Sequence, residues 1–162
     1  MANYNKPSIN LKKLARLNIL QIVYPTENMK ISYLEKSENS LYSAKILFEN
    51  SQFENSITLC YFSMYNSVLA LLFKYGIKCE NHNASIFILK KFFEIDTSLI
   101  EEAKEKRKRK QYYPNPKTDK EEVRESISSA EEFNANILDF IERTNNKNIQ
   151  NIRNKIKQTI NE

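Results

Sequence analysis

The chain has 162 residues, of which 41% are hydrophobic and 11% aromatic, and its formal net charge is +5. This length and apolar content favour one folded domain over a disordered chain. One glycine and four prolines exclude both the many tight turns of an all-β fold and a glycine-rich phosphate loop. We therefore expect an all-α, up-and-down bundle of about five helices.

Residues 1–29 are predicted to form an amino-terminal arm. Leucines at threefold spacing mark a short helical candidate, Leu11–Val23. The four residues from Pro25 to Asn28 predict a turn that ends the arm.

The helical bundle is predicted over residues 30–143, and it begins with two core helices. The first, Ile31–Asn50, carries one apolar stripe. The second, Phe53–Tyr75, is apolar on nearly all sides in its second half, as a central helix surrounded by neighbours would be. Gly76 is placed to end this helix in the left-handed conformation.

Three further helices complete the predicted bundle. The third spans Asn81–Phe93, and the fourth begins at Asp96 or Thr97 and runs into a basic segment. After a proline-containing break, Thr118 or Asp119 caps the fifth helix. The predicted buried stripe of the fifth helix is Val123, Ile127, Ala130, Phe133, Ile137, Phe140 and Ile141.

Residues 144–162 are predicted to be a separate tail, either helical or frayed. Isoleucines at 149, 152, 156 and 160 form a narrow apolar seam. Such a seam is too thin for a core of its own, and it suits docking onto another surface.

The compartment is expected to be the cytoplasm. Cys60 and Cys79 lack the spacing of a redox or zinc motif, so we interpret them as reduced thiols. The most apolar run, Val68–Phe73, is much shorter than the roughly 18 residues that cross a bilayer. Because the amino terminus is polar, we also expect no signal peptide.

The basic segment, residues 104–117, is the most informative part of the sequence. It holds seven cations and one anion, a local balance of +6, and two tyrosines follow the cations. Cations neutralise phosphates and aromatic rings stack on bases, so the segment predicts RNA or a nucleotide as partner. A solvated charge run without function is the alternative. The cations are Lys104, Lys106, Arg107, Lys108, Arg109, Lys110 and Lys117, and the anion is Glu105.

Other candidate chemistry is weaker. His82 is the single histidine, and we favour a loop or capping role for it over membership of a catalytic triad. The aromatic series from Tyr61 through Phe62 and Tyr65 to Phe73 favours core packing over a binding box. No residue cluster has the spacing of metal ligands, so we expect neither a metal nor a cofactor.

Arg107 is separated from Tyr112 by four residues and from Tyr113 by five. On a helix these intervals span about a turn and a half, which predicts that Arg107 and Tyr112 act on one ligand. An arginine grips a phosphate and offsets charge in phosphoryl transfer, and a tyrosine stacks or donates a hydrogen bond. A general base with a pKa near neutrality is not evident.

Two stretches of the chain resemble the HEPN family of small helical domains. YFSMYNSVLALLFKYGI, followed by His82, is similar to the central helix of that family and the histidine after it. EEAKEKRKRKQYYP, followed by AEEFNANILDFI, is similar to its arginine-bearing helix and closing helix. The resemblance covers about residues 31–143.

The resemblance implies a metal-independent ribonuclease that acts at the cleft of a homodimer. In the family an arginine steadies the phosphate and a histidine four to six residues later assists attack by the ribose 2′-hydroxyl. Arg107 matches the arginine, whereas Tyr112 or Tyr113 stands at the histidine position. Many such domains are toxins encoded beside a nucleotidyltransferase antitoxin, which the resemblance implies as a partner.

We therefore expect an RNA-directed toxin with Arg107 and Tyr112 at the cleft. Lys106, Lys108, Arg109 and Lys110 are predicted to add phosphate contacts, and Tyr113 either stacks or packs. The alternative is a non-catalytic module that binds a nucleotide, RNA or a nucleotidyltransferase partner. A structural adaptor that uses the isoleucine seam of the tail is a third hypothesis.

Overall fold

The computed structural model describes residues 9–113 and 117–161. Within these ranges the chain forms seven helices and one two-stranded sheet, so the predicted all-α fold is confirmed. The elements are α1 (Leu11–Arg16), β1 (Leu20–Ile22), α2 (Glu27–Glu49), α3 (Phe53–Lys74), β2 (Ile77–Cys79), α4 (His82–Phe92), α5 (Ser98–Tyr112), α6 (Lys120–Glu142) and α7 (Asn146–Asn161). The five predicted bundle helices are α2 to α6.

Helix α3 lies at the centre of the bundle and packs against α2, α4, α5 and α6. Contrary to the sequence expectation, this helix is long and apolar enough to cross a membrane. However, 72% of its apolar window is buried by the neighbouring helices. Burial on nearly all sides explains the composition of α3 without a membrane.

The amino-terminal region differs from its prediction. The predicted helix Leu11–Val23 ends at Arg16, because the chain turns at Asn18, which has a φ of 57°. The following residues form β1, which pairs antiparallel with β2. The predicted turn at residues 25–28 is also wrong in its second half, since α2 already begins at Glu27. Leu11 and Leu20 are buried in the same core as the bundle.

Helix boundaries resolve the alternatives for two caps. Thr97 precedes α5 as its cap residue, and Asp119 caps α6 by accepting a hydrogen bond from the Glu122 N–H. Gly76 follows α3 with a φ of 65°, as predicted from its position after the helix.

The tail is a helix, α7, that packs on α1 and α4 of the same chain. Ile149, Ile152 and Ile156 are buried in the common core. The seam is therefore not available for docking onto a partner, which removes the basis of the adaptor hypothesis.

Arg153 of α7 fixes the end of α3. Its Nη1 donates to the carbonyl oxygens of Val23, Tyr75 and Gly76 at 2.7, 2.9 and 3.0 Å. The last two carbonyls belong to the residues that end α3, where backbone acceptors lack helical partners. A Cβ at Gly76 would overlap the guanidinium and the Val23 oxygen, so a glycine is required on both conformational and steric grounds.

We predict that Arg153→Met lowers the free energy of unfolding by about 2–4 kcal/mol, because charge-assisted hydrogen bonds to three partly buried carbonyls are lost together. Urea unfolding monitored by circular dichroism measures this change. The matched control is Lys157→Met on the exposed face of α7, which should change stability by less than about 0.5 kcal/mol. Equal effects of the two substitutions would show that the Arg153 contacts contribute nothing specific.

Candidate functional site

A cluster of aromatic and basic side chains joins α3, α4 and α5. Tyr61 of α3 has no exposed surface, and its hydroxyl lies 2.6 Å from His82 Nδ1. The Tyr65 ring, one helical turn further along α3, stacks on the His82 imidazole with a centroid distance of 3.8 Å. The imidazole is therefore held both by a hydrogen bond and by a ring face.

Arg107 of α5 packs on the rings of Tyr61 and Phe62, two neighbouring residues of α3. Its Cζ atom lies 5.0 Å from the Tyr61 ring centroid and 5.4 Å from that of Phe62. These distances allow cation–π attraction, which orients the guanidinium. Within the described part of the chain the buried Nε atom has no hydrogen-bond partner, and Arg107 forms no salt bridge. The guanidinium charge is thus oriented and not neutralised by a described carboxylate.

Burial sets the protonation states of the cluster. Burial raises the pKa of Tyr65 to about 12 and raises that of Tyr61 as well, although the Arg107 cation opposes the change at Tyr61. Burial also lowers the pKa of His82, and the Arg107 and Lys104 cations lower it further. At neutral pH both phenols are protonated and the imidazole is uncharged.

The lysines of the basic segment are largely engaged in ion pairs. The pairs are Lys106 with Glu102 at 2.9 Å, Lys108 with Glu105 at 3.3 Å and Lys110 with Glu122 at 2.9 Å. The Lys110 ammonium also donates to the Lys117 carbonyl, so it connects α5 to the start of α6. The local balance of +6 therefore overstates the positive charge that a ligand would meet.

The tyrosines at the end of α5 lie on the surface. Tyr112 is 73% exposed and Tyr113 66% exposed. Tyr112 follows Arg107 by five positions, which turns its side chain about 140° around the helix axis from the arginine. One chain therefore does not bring Arg107 and Tyr112 to the same face of α5, and a joint role for them in one protomer is not supported by the helix geometry.

A shallow depression lies beside the exposed tyrosines. It is lined by Arg109, Lys110, Tyr113, Lys117 and Glu122. Arg109 and Lys117 are exposed there. This depression brings together three of the residues predicted to bind nucleic acid: Arg109, Lys110 and Tyr113.

His82 is placed differently from its predicted role in a loop or cap. Asn81 caps α4 by accepting a hydrogen bond from the Ala84 N–H at 2.9 Å, and His82 is the first residue of the helix. Its ring turns inward onto Tyr61 and Tyr65. The sequence signal for this contact is the tyrosine pair four residues apart on one face of α3, whose helical spacing by itself indicates core packing. The core assignment of these tyrosines is confirmed.

Both cysteines are protonated thiols at neutral pH, and Cys79 lies close enough to Tyr65 to contribute to the raised pKa of that tyrosine. Cys60 and Cys79 are free, buried thiols, and burial raises the pKa of both, that of Cys60 to about 12. Among the residues that the structure describes, no group of His, Cys, Asp and Glu side chains is arranged to hold a metal ion.

Comparison with known proteins places this cluster inside a recognised domain family. A family model described as the HEPN domain matches residues 32–140, an interval that includes Tyr61, His82 and Arg107. A protein of Methanocaldococcus jannaschii, named a putative toxin, is 30% identical over 90 residues. The matched region is 53% of this chain and 60% of that protein, so the chain spans about 60% of the length of this relative.

We predict that Arg107→Gln raises the pKa of His82 towards its ordinary value near 6.5. Removing the cation relieves repulsion of the imidazolium, whereas burial continues to disfavour it, so the pKa should remain below that value. Proton NMR titration follows His82 without ambiguity because the chain has one histidine. Arg16→Gln on α1 is the control with the same change of charge; an equal shift in both variants would contradict a local effect of Arg107.

Proposed function

The chain belongs to the HEPN family, and we propose that it is an RNA-directed protein of the toxin type that holds an RNA phosphodiester at Arg107. The observation that carries this proposal is the Arg107 guanidinium, oriented on two rings and without a described carboxylate partner. Three neighbouring lysines have such partners, and in the described residues Arg107, unlike the exposed Arg109, packs on two ring faces. This support favours Arg107 as a site for an external anion. The toxin name of the M. jannaschii relative supports the biological class.

We further propose metal-independent cleavage of the bound RNA. In this reaction the ribose 2′-oxygen attacks the adjacent phosphorus, the bond from phosphorus to the 5′-oxygen breaks, and a 2′,3′-cyclic phosphate forms. The 2′-hydroxyl loses its proton and the 5′-oxygen gains one, so no metal or redox partner is needed. Arg107 would stabilise the additional negative charge on the phosphoryl oxygens.

A role for Tyr112 at the phosphodiester held by Arg107 requires a second copy of the chain. Tyr112 is exposed and lies on another side of α5 from Arg107 within one protomer. We propose that in a homodimer the phenol of one copy reaches the phosphodiester held by Arg107 of the other. Its exposure at the end of α5 supports this arrangement.

Binding without cleavage, alone or with a nucleotidyltransferase partner, is the second candidate function. It is favoured by the chemistry of the cluster, because both buried phenols have a raised pKa and His82 Nδ1 already bonds to Tyr61. No free base near neutrality adjoins Arg107 in the described residues. The depression beside Tyr113 gives RNA or a protein partner an additional polar surface. For either function we propose a cytoplasmic location, which the free thiols support.

We predict that the wild-type protein cleaves a 5′-labelled RNA in the presence of EDTA and leaves 2′,3′-cyclic phosphate ends. Arg107→Gln should reduce the cleavage rate about 100-fold or more, because one donor to the developing phosphoryl charge is lost. Tyr112→Phe should also reduce the rate, because the hydroxyl that acts at the phosphodiester in the proposed dimer is lost. Gel electrophoresis of the labelled products measures the cleavage rates of the wild-type protein and of the two variants.

Arg16→Gln is the matched control, since it removes one exposed arginine far from α5 in the sequence. Salt-dependent RNA binding with no products from the wild-type protein would replace the cleavage proposal by the second candidate function. Cleavage that Arg107→Gln leaves unchanged would refute Arg107 as the site.

A further inference from the structure

We infer that His82 is a second phosphate ligand beside Arg107, and that it acts as an uncharged hydrogen-bond donor through Nε2–H. This inference rests on the proposed RNA-directed function and adds a residue that the arginine–tyrosine motif does not contain. The ligand is the non-bridging oxygen pair of an RNA phosphodiester, of which Arg107 would bind one oxygen and His82 the other.

The Tyr61 hydroxyl determines which imidazole nitrogen carries the proton. Tyr61 is fully buried, and among the described residues its hydroxyl bonds only to His82 Nδ1. A buried hydroxyl proton without an acceptor costs free energy, so the phenol donates and Nδ1 accepts. A neutral imidazole that accepts at Nδ1 carries its proton on Nε2.

The Nε2–H group remains free for a ligand. In the described part of the chain it has no hydrogen-bond partner, and it is not among the buried polar atoms without partners. The ring is half-buried, and stacking on Tyr65 at 3.8 Å fixes its plane. Arg107 packs on the Tyr61 ring to which His82 is bonded, so both donors are supported by one phenol.

The charges around His82 favour a neutral donor over an imidazolium. In the described part of the chain, the titratable and charged groups that face it are Tyr61 and Tyr65 of α3 and Arg107 and Lys104 of α5. Glu80 of the preceding segment is paired with Lys78 at 2.9 Å. Among the described residues, Arg107 and Lys104 thus oppose protonation of the ring, whereas a neutral N–H can approach a phosphate without repelling Arg107.

This tautomer also distinguishes a ligand role from a general-base role. A general base needs a lone pair directed at the substrate, and here the lone pair of Nδ1 is used by Tyr61. The nitrogen that faces outward carries a hydrogen instead. His82 therefore contributes to phosphate binding and not to removal of the 2′-hydroxyl proton.

The first test is nitrogen-15 NMR of the free protein near pH 7.5, where the single histidine gives one pair of ring signals. We expect the pattern of a neutral imidazole with the proton on Nε2. We also expect the Nε2 signal to shift when a 2′-O-methyl oligonucleotide, which cannot be cleaved, saturates the protein. A proton on Nδ1, or ring signals that saturation leaves unmoved, would overturn the inference.

The second test compares amide replacements by binding of the same oligonucleotide. The amide nitrogen of His82→Gln falls near the Nε2 position and should retain most of the affinity. His82→Asn places its amide near Nδ1 and should bind about tenfold more weakly or worse. Asn83→Ala at the exposed neighbouring position is the control, and circular dichroism verifies that each variant is folded.

The outcomes separate the two proposals. If Arg107→Gln weakens binding and His82→Asn does not, the inference fails and the proposed function stands. If His82→Gln binds normally but loses cleavage, His82 is a base and the inference fails. If the wild-type protein binds neither this oligonucleotide nor RNA, the proposed function fails and the inference with it. If a mononucleotide binds with the same affinity as the oligonucleotide, the ligand is a free nucleotide and not RNA. That result would overturn the RNA assignment.

Discussion

The hydrogen bond between the buried Tyr61 hydroxyl and His82 is the constraint on which the proposed site depends. An unpaired hydroxyl at a position with no exposed surface would cost about 1–3 kcal/mol, so the fold must bring an acceptor to it. The start of α4 supplies that acceptor, and the same phenol ring supports Arg107 from α5. One side chain of the central helix therefore orients groups from two other helices.

The position of His82 depends in turn on the far end of α3. Gly76 follows α3 in a left-handed conformation. Arg153 of α7 donates hydrogen bonds to the carbonyl oxygens of Tyr75 and Gly76. From there β2 pairs with β1 and leads to Asn81, the cap of α4. The arm and the tail, which the sequence predicts as segments outside the bundle, thus contact the short connection that places the histidine at the start of its helix.

Much of the fold could be predicted from the sequence, because helix positions depend on local periodicity and on cap residues. Patterns within a few neighbouring residues predict the five bundle helices, the position of Gly76 after α3 and the Asp119 cap. The short sheet could not be predicted in this way. β1 and β2 have three residues each, and they are more than 50 positions apart in the chain, so their pairing depends on tertiary packing.

The site was harder to predict than the fold for two physical reasons. Charge counting treats all cations alike, but ion pairs with Glu102, Glu105 and Glu122 engage three lysines, and packing on two rings distinguishes Arg107 from the exposed Arg109. In addition, aromatic residues at helical spacing indicate burial without showing which polar group they meet. Tyr61 and Tyr65 are core residues as predicted, and His82 meets them from a helix that begins 17 positions after Tyr65.

The most direct test of the central claim is a crystal structure of the full chain with a bound 2′-O-methyl oligonucleotide. We expect a phosphate group within about 3 Å of both the Arg107 guanidinium and His82 Nε2, with the Tyr61–His82 hydrogen bond retained. An oligonucleotide bound to another surface, with Arg107 and His82 unchanged and free of phosphate, would contradict the account.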